Sequence, residues 1–164
     1  MALIYSFAPE HFFAFASTNF PQYLSVMSGG ARRSAQAFDN ATAQKMRSIT
    51  FEMPSFTGAL TMKILFSIAA TSGNVQFNGT VEAISSLAAI NMNTTNSYDA
   101  NNSSGAIAVP ATIYNPKEFS ITLTNNDSVA AGSNVMLAVE RDVTVSSNAS
   151  GLCYVHAVKL WDAS

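Results

Sequence analysis

From residue 45 onward, apolar and polar side chains alternate with a period of two, as expected of strands that bury one face. Ile49, Phe51 and Met53 alternate with Ser48, Thr50 and Glu52, and Leu60, Met62, Ile64, Phe66 and Ile68 share one face of a long strand. Val75, Phe77, Val81 and Ala83 stand opposite Gln76, Asn78, Thr80 and Glu82. Phe119, Ile121 and Leu123 repeat the pattern, as do Val135, Leu137 and Val139. The run from Leu152 to Trp161 is apolar on both faces, which predicts a central or covered strand.

Turn signals separate these runs: Thr71 to Asn74, Asn125 to Ser128, Ala131 to Asn134 and Ser147 to Gly151. The first reads as a tight hairpin between two long strands. A longer connection, Ala88 to Asn115, has room for two short strands near Ser97 to Asp99 and Ile107 to Tyr114. No stretch shows helical periodicity. The fold expected is all-β, an antiparallel jelly-roll-like β-sandwich over residues 45–164.

Residues 1–44 follow neither period and read as an extended arm. Tyr5, Phe7, Phe12, Phe13, Phe15, Phe20 and Tyr23 crowd its first half, punctuated by Pro9 and Pro21. Ala31 to Ala43 is loop-like, with Arg32-Arg33 its only charge cluster. Seven aromatics cannot stand exposed in water, so the arm packs on its own domain or on another subunit. On the second alternative, the seven aromatics with Arg32 and Arg33 form an interface, the arginines pairing with acidic groups on a neighbour.

Composition narrows the classes. Charged residues are 11% of the 164, against about 25% in a typical soluble domain, and Ser, Thr and Asn fill the polar quota. Such a surface suits a protein covered by neighbours, or a secreted domain with a neutral outside. A net charge of -2 offers no basic footprint for nucleic acid. The longest apolar region, Leu60 to Ala70, is broken by Thr61, Lys63 and Ser67 and is too short for a membrane span. The N-terminus lacks a positive region, so no signal peptide is expected.

Chemistry is sparse. Cys153 is the only cysteine, which forbids an internal disulfide. With His11 and His156 the only histidines, a transition-metal site lacks ligands. Alternation puts His156 on one side with Leu152, Tyr154, Val158 and Leu160, and Cys153 on the other with Val155 and Ala157. Cys153 and His156 therefore cannot form a nucleophile–base pair. Glu140 and Asp142 share a strand face and flank Arg141 in what reads as a solvated edge, not a carboxylate pair across a cleft. Asp99 to Gly105 starts like a calcium loop but has Ser104 where glycine is needed and Pro110 where the closing glutamate belongs. Asn78-Gly79-Thr80 and Asn148-Ala149-Ser150 match a glycosylation triplet, which chance supplies in a chain this rich in Asn, Ser and Thr. No enzyme, cofactor, catalytic residue or metal residue is expected.

From Phe38 onward the chain resembles small β-sandwich virion proteins of tailed bacteriophages, over about three quarters of its length. The resembling motifs are Ala37 to Thr42, Phe51 to Gly58, Leu60 to Leu65, Ala69 to Val75 and the strand closing at Glu82. The densest is Phe119 to Gly132, followed by Val139-Glu140-Arg141-Asp142. The resemblance implies a non-enzymatic capsid decoration or cement protein located in the virion. Its partner would be the major capsid protein, and it would be a homo-oligomer with a trimer favoured, contacting neither nucleic acid nor membrane. The alternative is a tail-fibre or receptor-binding module recognising host surface glycans, which calls for exposed Trp or Tyr near loops at one end of the sandwich.

Overall fold

The computed structural model describes residues 1–25, 27, 29–84 and 97–164. The first part of the long connection expected from Ala88 lies outside these residues. The strands are β1 (Ala2–Phe7), β2 (Phe12–Ala14), β3 (Gln22–Leu24), β4 (Ala35–Phe38), β5 (Gln44–Ser48), β6 (Phe51–Glu52), β7 (Leu60–Ile68), β8 (Asn74–Ile84), β9 (Asn102–Ser103), β10 (Ile107–Ala108), β11 (Lys117–Thr122), β12 (Asn134–Asp142) and β13 (Cys153–Asp162). Among the described residues, one sheet runs β11-β7-β13-β4-β3 with β1 also on β13. The other runs β10-β8-β12-β5-β2, with β6 on β12 and β9 on β8. The strands within each sheet pair antiparallel, and β7, β8, β11, β12 and β13 alternate between sheets. This is the jelly-roll-like sandwich that the alternation predicts.

The core lies between the sheets. Met62, Ile64, Phe66 and Ile68 of β7 meet Val75, Phe77 and Val81 of β8, all fully buried. Phe77 lies 5.9 Å from Phe66 and stacks on Phe119 at 5.4 Å. These contacts overturn the expected hairpin at Thr71 to Asn74. β7 pairs with β11 and β13 whereas β8 pairs with β12, so the turn arches from one sheet to the other. An arch lets the two apolar rows face each other; a hairpin would set them side by side with nothing opposite. Gly73 makes the arch possible at φ +94°, where a Cβ would stand 2.7 Å from the Ser147 carbonyl.

Residues 1–44 are not an arm set apart from the sandwich. β1 pairs with the second half of β13, β4 with its first half, and β2 with β5. Phe7 and Phe12 enter the common core, where full burial of such a side chain contributes roughly 1.5–3 kcal/mol. All four residues of β4 are buried, so the loop expected over Ala31 to Ala43 contains a strand covered on both faces. Small residues in Ala35-Gln36-Ala37 hide that strand from a reading based on alternation.

Alternation also fails at one point in β13. Val155 pairs with Phe66 and Ala157 with Leu65, leaving His156 as the extra residue of a β-bulge. Cys153, Val155, Val158 and Leu160 therefore face the core together, while Tyr154 packs with Ala35 and Ala37 outside it. The expected grouping of Val158 and Leu160 with His156 is reversed. Burial pushes the Cys153 thiol up to about 12, so it is inert.

Arg141 is the other departure. In place of a solvated edge, its side chain is fully buried. Its guanidinium donates to the carbonyls of Gly151 at 2.9 Å, Ala149 at 2.7 Å and Phe38 at 3.3 Å, and to Asn148 Oδ1 at 3.3 Å. Glu140 and Asp142 point to the opposite face of β12, where they accept from Asn78 at 3.3 Å and Gln76 at 2.9 Å. Removing the guanidinium strands three carbonyls, each costing about 1–3 kcal/mol if unpaired. Arg141→Met is expected to lower unfolding free energy by at least about 3 kcal/mol in urea titration; a loss under about 1 kcal/mol contradicts this clamp.

Candidate functional site

The outer face of the β7–β13–β4 sheet carries a half-open cleft of about 640 Å³. Its floor is Leu65 and Ser67 of β7 beside His156 of β13. One wall is the β3–β4 loop, with Arg32, Arg33 and Ser34; the other is Tyr114 and Pro116, leading into β11. The bulge is what aims His156 into this space. The β3–β4 loop is turned by Gly30, whose N–H donates to the Met27 carbonyl at 2.8 Å, which brings the arginines over the sheet.

Tyr114 has φ +63°, a left-handed backbone that few residues other than glycine adopt. It is held there by its N–H, which donates to the Ile68 carbonyl at 2.9 Å, and by its ring, 6.0 Å from that of Tyr154. The residue remains 45% exposed. Strain of this sort costs roughly 1–3 kcal/mol and clusters at ligand sites.

His156 is fixed at both nitrogens. The Ser34 carbonyl at 3.3 Å can only accept, so Nδ1 carries the proton and Nε2, 2.8 Å from Ser67 Oγ, accepts the hydroxyl proton. Burial, helped by Arg33, depresses the imidazole below its ordinary value, against the opposing Ser34 bond. A serine beside a neutral histidine has the outline of a nucleophile and base. Ser67 is nevertheless buried, and no carboxylate lines the cleft among the described residues. The arrangement orients donors and can hold a ligand; it lacks the carboxylate pair that glycosidic cleavage uses.

The residues expected to form one interface are divided by the fold. Phe7 and Phe12 are core, and Tyr5 packs 4.5 Å from Phe7. Phe15 packs with its ring centre 5.1 Å from that of Tyr98, tilted to it, under Lys45. Phe13, Phe20 and Tyr23 are 51%, 41% and 49% exposed and rim a shallow hollow of about 450 Å³ where β2 and β3 meet. Arg32 and Arg33 go to the cleft instead. Tyr114, Ser67 and His156 were invisible as a group, because they come from three strands or loops. The strand expected near Ile107 to Tyr114 is only Ile107–Ala108, and the Asn115-Pro116 dipeptide is the local feature that could have marked the turn at Tyr114.

Other polar clusters are consumed by the fold. Glu82 accepts from the N–H and hydroxyl of Ser97 at 2.8 and 3.1 Å. The Asp99 carboxylate accepts the N–H groups of Ala100 and Asp127, and Asn102 ties its loop to Gly79 and Asn125. That segment is a staple between loops. Trp161, which lies beyond the cleft, has Lys63 Nζ 4.8 Å from its ring centre. Among the described residues no group of three or more His, Cys, Asp or Glu is placed to hold a metal ion.

No family model matches the chain, and no curated protein matches it. Solved structures match in fold. The CBM22-1–GH10 modules of endo-1,4-β-D-xylanase 10B from Clostridium thermocellum, complexed with xylohexaose, align at TM-score 0.53 with 9% identity, covering 100% of this chain and 28% of that one. Promiscuous carbohydrate-binding modules of the β-sandwich superfamily align at 0.50 with 10% identity, covering 92% and 57%. The C-terminal CBM6 of a laminarinase from Zobellia galactanivorans aligns at 0.49 with 14% identity, covering 95% and 97%. The first two likenesses bear out an all-β, antiparallel sandwich.

They also correct the phage resemblance. The two structures aligned at 0.50 or above carry carbohydrate-binding modules, and the capsid decoration role and virion location expected from the resemblance do not stand against that finding. Strand alternation and Asn/Gly turns recur in any such sandwich, so motifs of that kind identify architecture and not role.

The cleft makes a pH prediction. A histidine pKa held below the ordinary 6.5 means that the unfolded chain takes up the proton first. Stability is then complete above about pH 6.5 and falls as pH drops through that value, levelling off below the folded pKa. Asp99, Asp142 and Asp162, held below 3.8, act only at lower pH. The melting temperature is expected to fall between about pH 7.5 and about pH 5, and His156→Gln should flatten that step. A step of unchanged size in the variant assigns it to another group.

Proposed function

We propose that this chain is a non-catalytic sugar-binding module that holds a glycan in the cleft between Tyr114 and the β3–β4 loop. The observation that carries the proposal is Tyr114, a half-exposed ring held in a left-handed conformation at the mouth of a cleft floored by hydrogen-bonding side chains. An aromatic face packs against the C–H face of a pyranose, while the arginines supply polar contacts that fix orientation above a floor held rigid by the Ser67–His156 bond. The cleft volume lies within the range of small-ligand sites. Such a module acts on glycans outside the cell, which replaces the virion placement.

The fold is compatible with this reading: the sandwich is shared with carbohydrate-binding modules, one of them in a structure complexed with xylohexaose. The surface hydroxyls and amides also suit a module that works among sugars. Glycan recognition through an exposed tyrosine agrees with the alternative drawn from the sequence, but the cleft lies on the outer face of a sheet and not among loops at one end of the sandwich. Calorimetric titration against a panel of neutral and acidic oligosaccharides tests it. At least one should bind, and Tyr114→Ala should weaken it about tenfold, the equivalent of roughly 1.4 kcal/mol, with an unchanged circular dichroism spectrum. Tyr23→Ala, in the other hollow, should leave affinity intact. Full affinity in Tyr114→Ala, or no binding across the panel, overturns the proposal.

A further inference from the structure

Eight cationic side chains are present in a chain of net charge -2, and six are engaged by the fold itself. Lys159 pairs with Glu118 at 3.0 Å, and Lys117 donates to the Ala108 carbonyl at 2.6 Å. Lys45 lies 4.5 Å from the Phe15 ring centre, and Lys63 covers Trp161. Arg47 rests over Phe13 and Met136, and Arg141 is buried on carbonyls. That leaves Arg32 and Arg33, whose guanidiniums have no partner among the described residues. They are adjacent, exposed and in the same cleft.

Two neighbouring positive charges repel, and among the described residues no acidic group lines the cleft to offset them. The other polar side chains there are Ser34, Ser67, Tyr114 and His156, none a carboxylate; the Ser67 hydroxyl and the His156 N–H are spent on His156 Nε2 and the Ser34 carbonyl. All ten acidic residues lie elsewhere. The cleft is thus a locally basic site on an acidic chain, its free donors the two guanidiniums, complementary to an anion next to an apolar ring face.

We infer that the glycan bound here is acidic, its carboxylate or sulfate group held by Arg32 and Arg33 while a sugar ring lies on Tyr114; this rests on the sugar-binding function proposed above. The guanidinium fork matches either oxyanion bidentately. Carboxylate and sulfate present the same charge and a similar oxygen geometry, so the ligand class is anionic polysaccharide from either source. A nucleic acid is disfavoured, because two arginines on a net negative chain give too few phosphate contacts.

The test is calorimetric titration of the full chain with four probes: oligogalacturonate for carboxylate, carrageenan oligosaccharide for sulfate, neutral galactan oligosaccharide, and a single-stranded oligonucleotide. One or both acidic sugars should bind at least about tenfold tighter than the neutral sugar, and the tighter of the two identifies the anionic group. The preference should shrink several-fold on raising salt from about 0.05 M to about 0.5 M. Arg32→Gln with Arg33→Gln should abolish the preference, weakening the acidic sugars at least about tenfold more than the neutral sugar, with an unchanged circular dichroism spectrum. Equal binding of neutral and acidic sugars, unaffected by the double variant, overturns the inference and leaves the sugar-binding function standing. Binding of the oligonucleotide as tightly as the acidic sugars also overturns it. Failure of every sugar overturns both.

Discussion

A guanidinium in an apolar core must donate to something, and the position of Arg141 is set by that demand. Its acceptors belong to the end of β4 and to the turn entering β13, both in the sheet opposite its own strand. One side chain therefore ties β12 to the two strands that floor and flank the cleft. Carbonyls are weaker partners than a carboxylate, and desolvation lowers the arginine's pKa accordingly. What compensates is number: three carbonyls and one amide oxygen share the charge.

The same turn is constrained sterically. Gly151 sits so close to the backbone of Ala69 that a Cβ there would collide with the Ala69 carbonyl. Close approach and the guanidinium clamp together fix where β13 begins. Two residues in, the strand meets β7 in register, and three further on the bulge interrupts it at His156. A bulge turns a side chain without ending the strand, which is how an inward-and-outward alternation can deliver an imidazole to the outer face while Val158 and Leu160 stay in the core.

The cleft combines a rigid floor and two loop walls. Its floor is central strand, backed by the common core, and its walls are the β3–β4 and β10–β11 connections. That division suits recognition: strands hold Ser67 and His156 in fixed geometry, whereas loops present the arginines and the strained tyrosine to solvent. The neutral, amide-rich composition has a separate explanation. Asn102, Asn148 and Asn74 spend their side chains on loop backbones, taking work that ion pairs do on more charged surfaces.

Period-two alternation determined the strong strands, since a strand with one buried face can be written only in that pattern. It carried β7, β8, β11 and β12 and the sandwich class with them, while a continuous apolar run marked β13. It said nothing of which sheet a strand joins, because an arch and a hairpin use the same turn residues; burial of two apolar rows against each other decided that for β7 and β8. The aromatic crowd in residues 1–44 announced that something had to be covered, but only the fold distributed Phe7 and Phe12 to the core and left Phe13, Phe20 and Tyr23 outside. Arg141 read as solvated because local sequence cannot show acceptors arriving from residues 38, 149 and 151. Tyr114, His156 and Arg33 come from distant parts of the chain and meet through strand pairing and a bulge, so their cleft existed only once the sheets had formed.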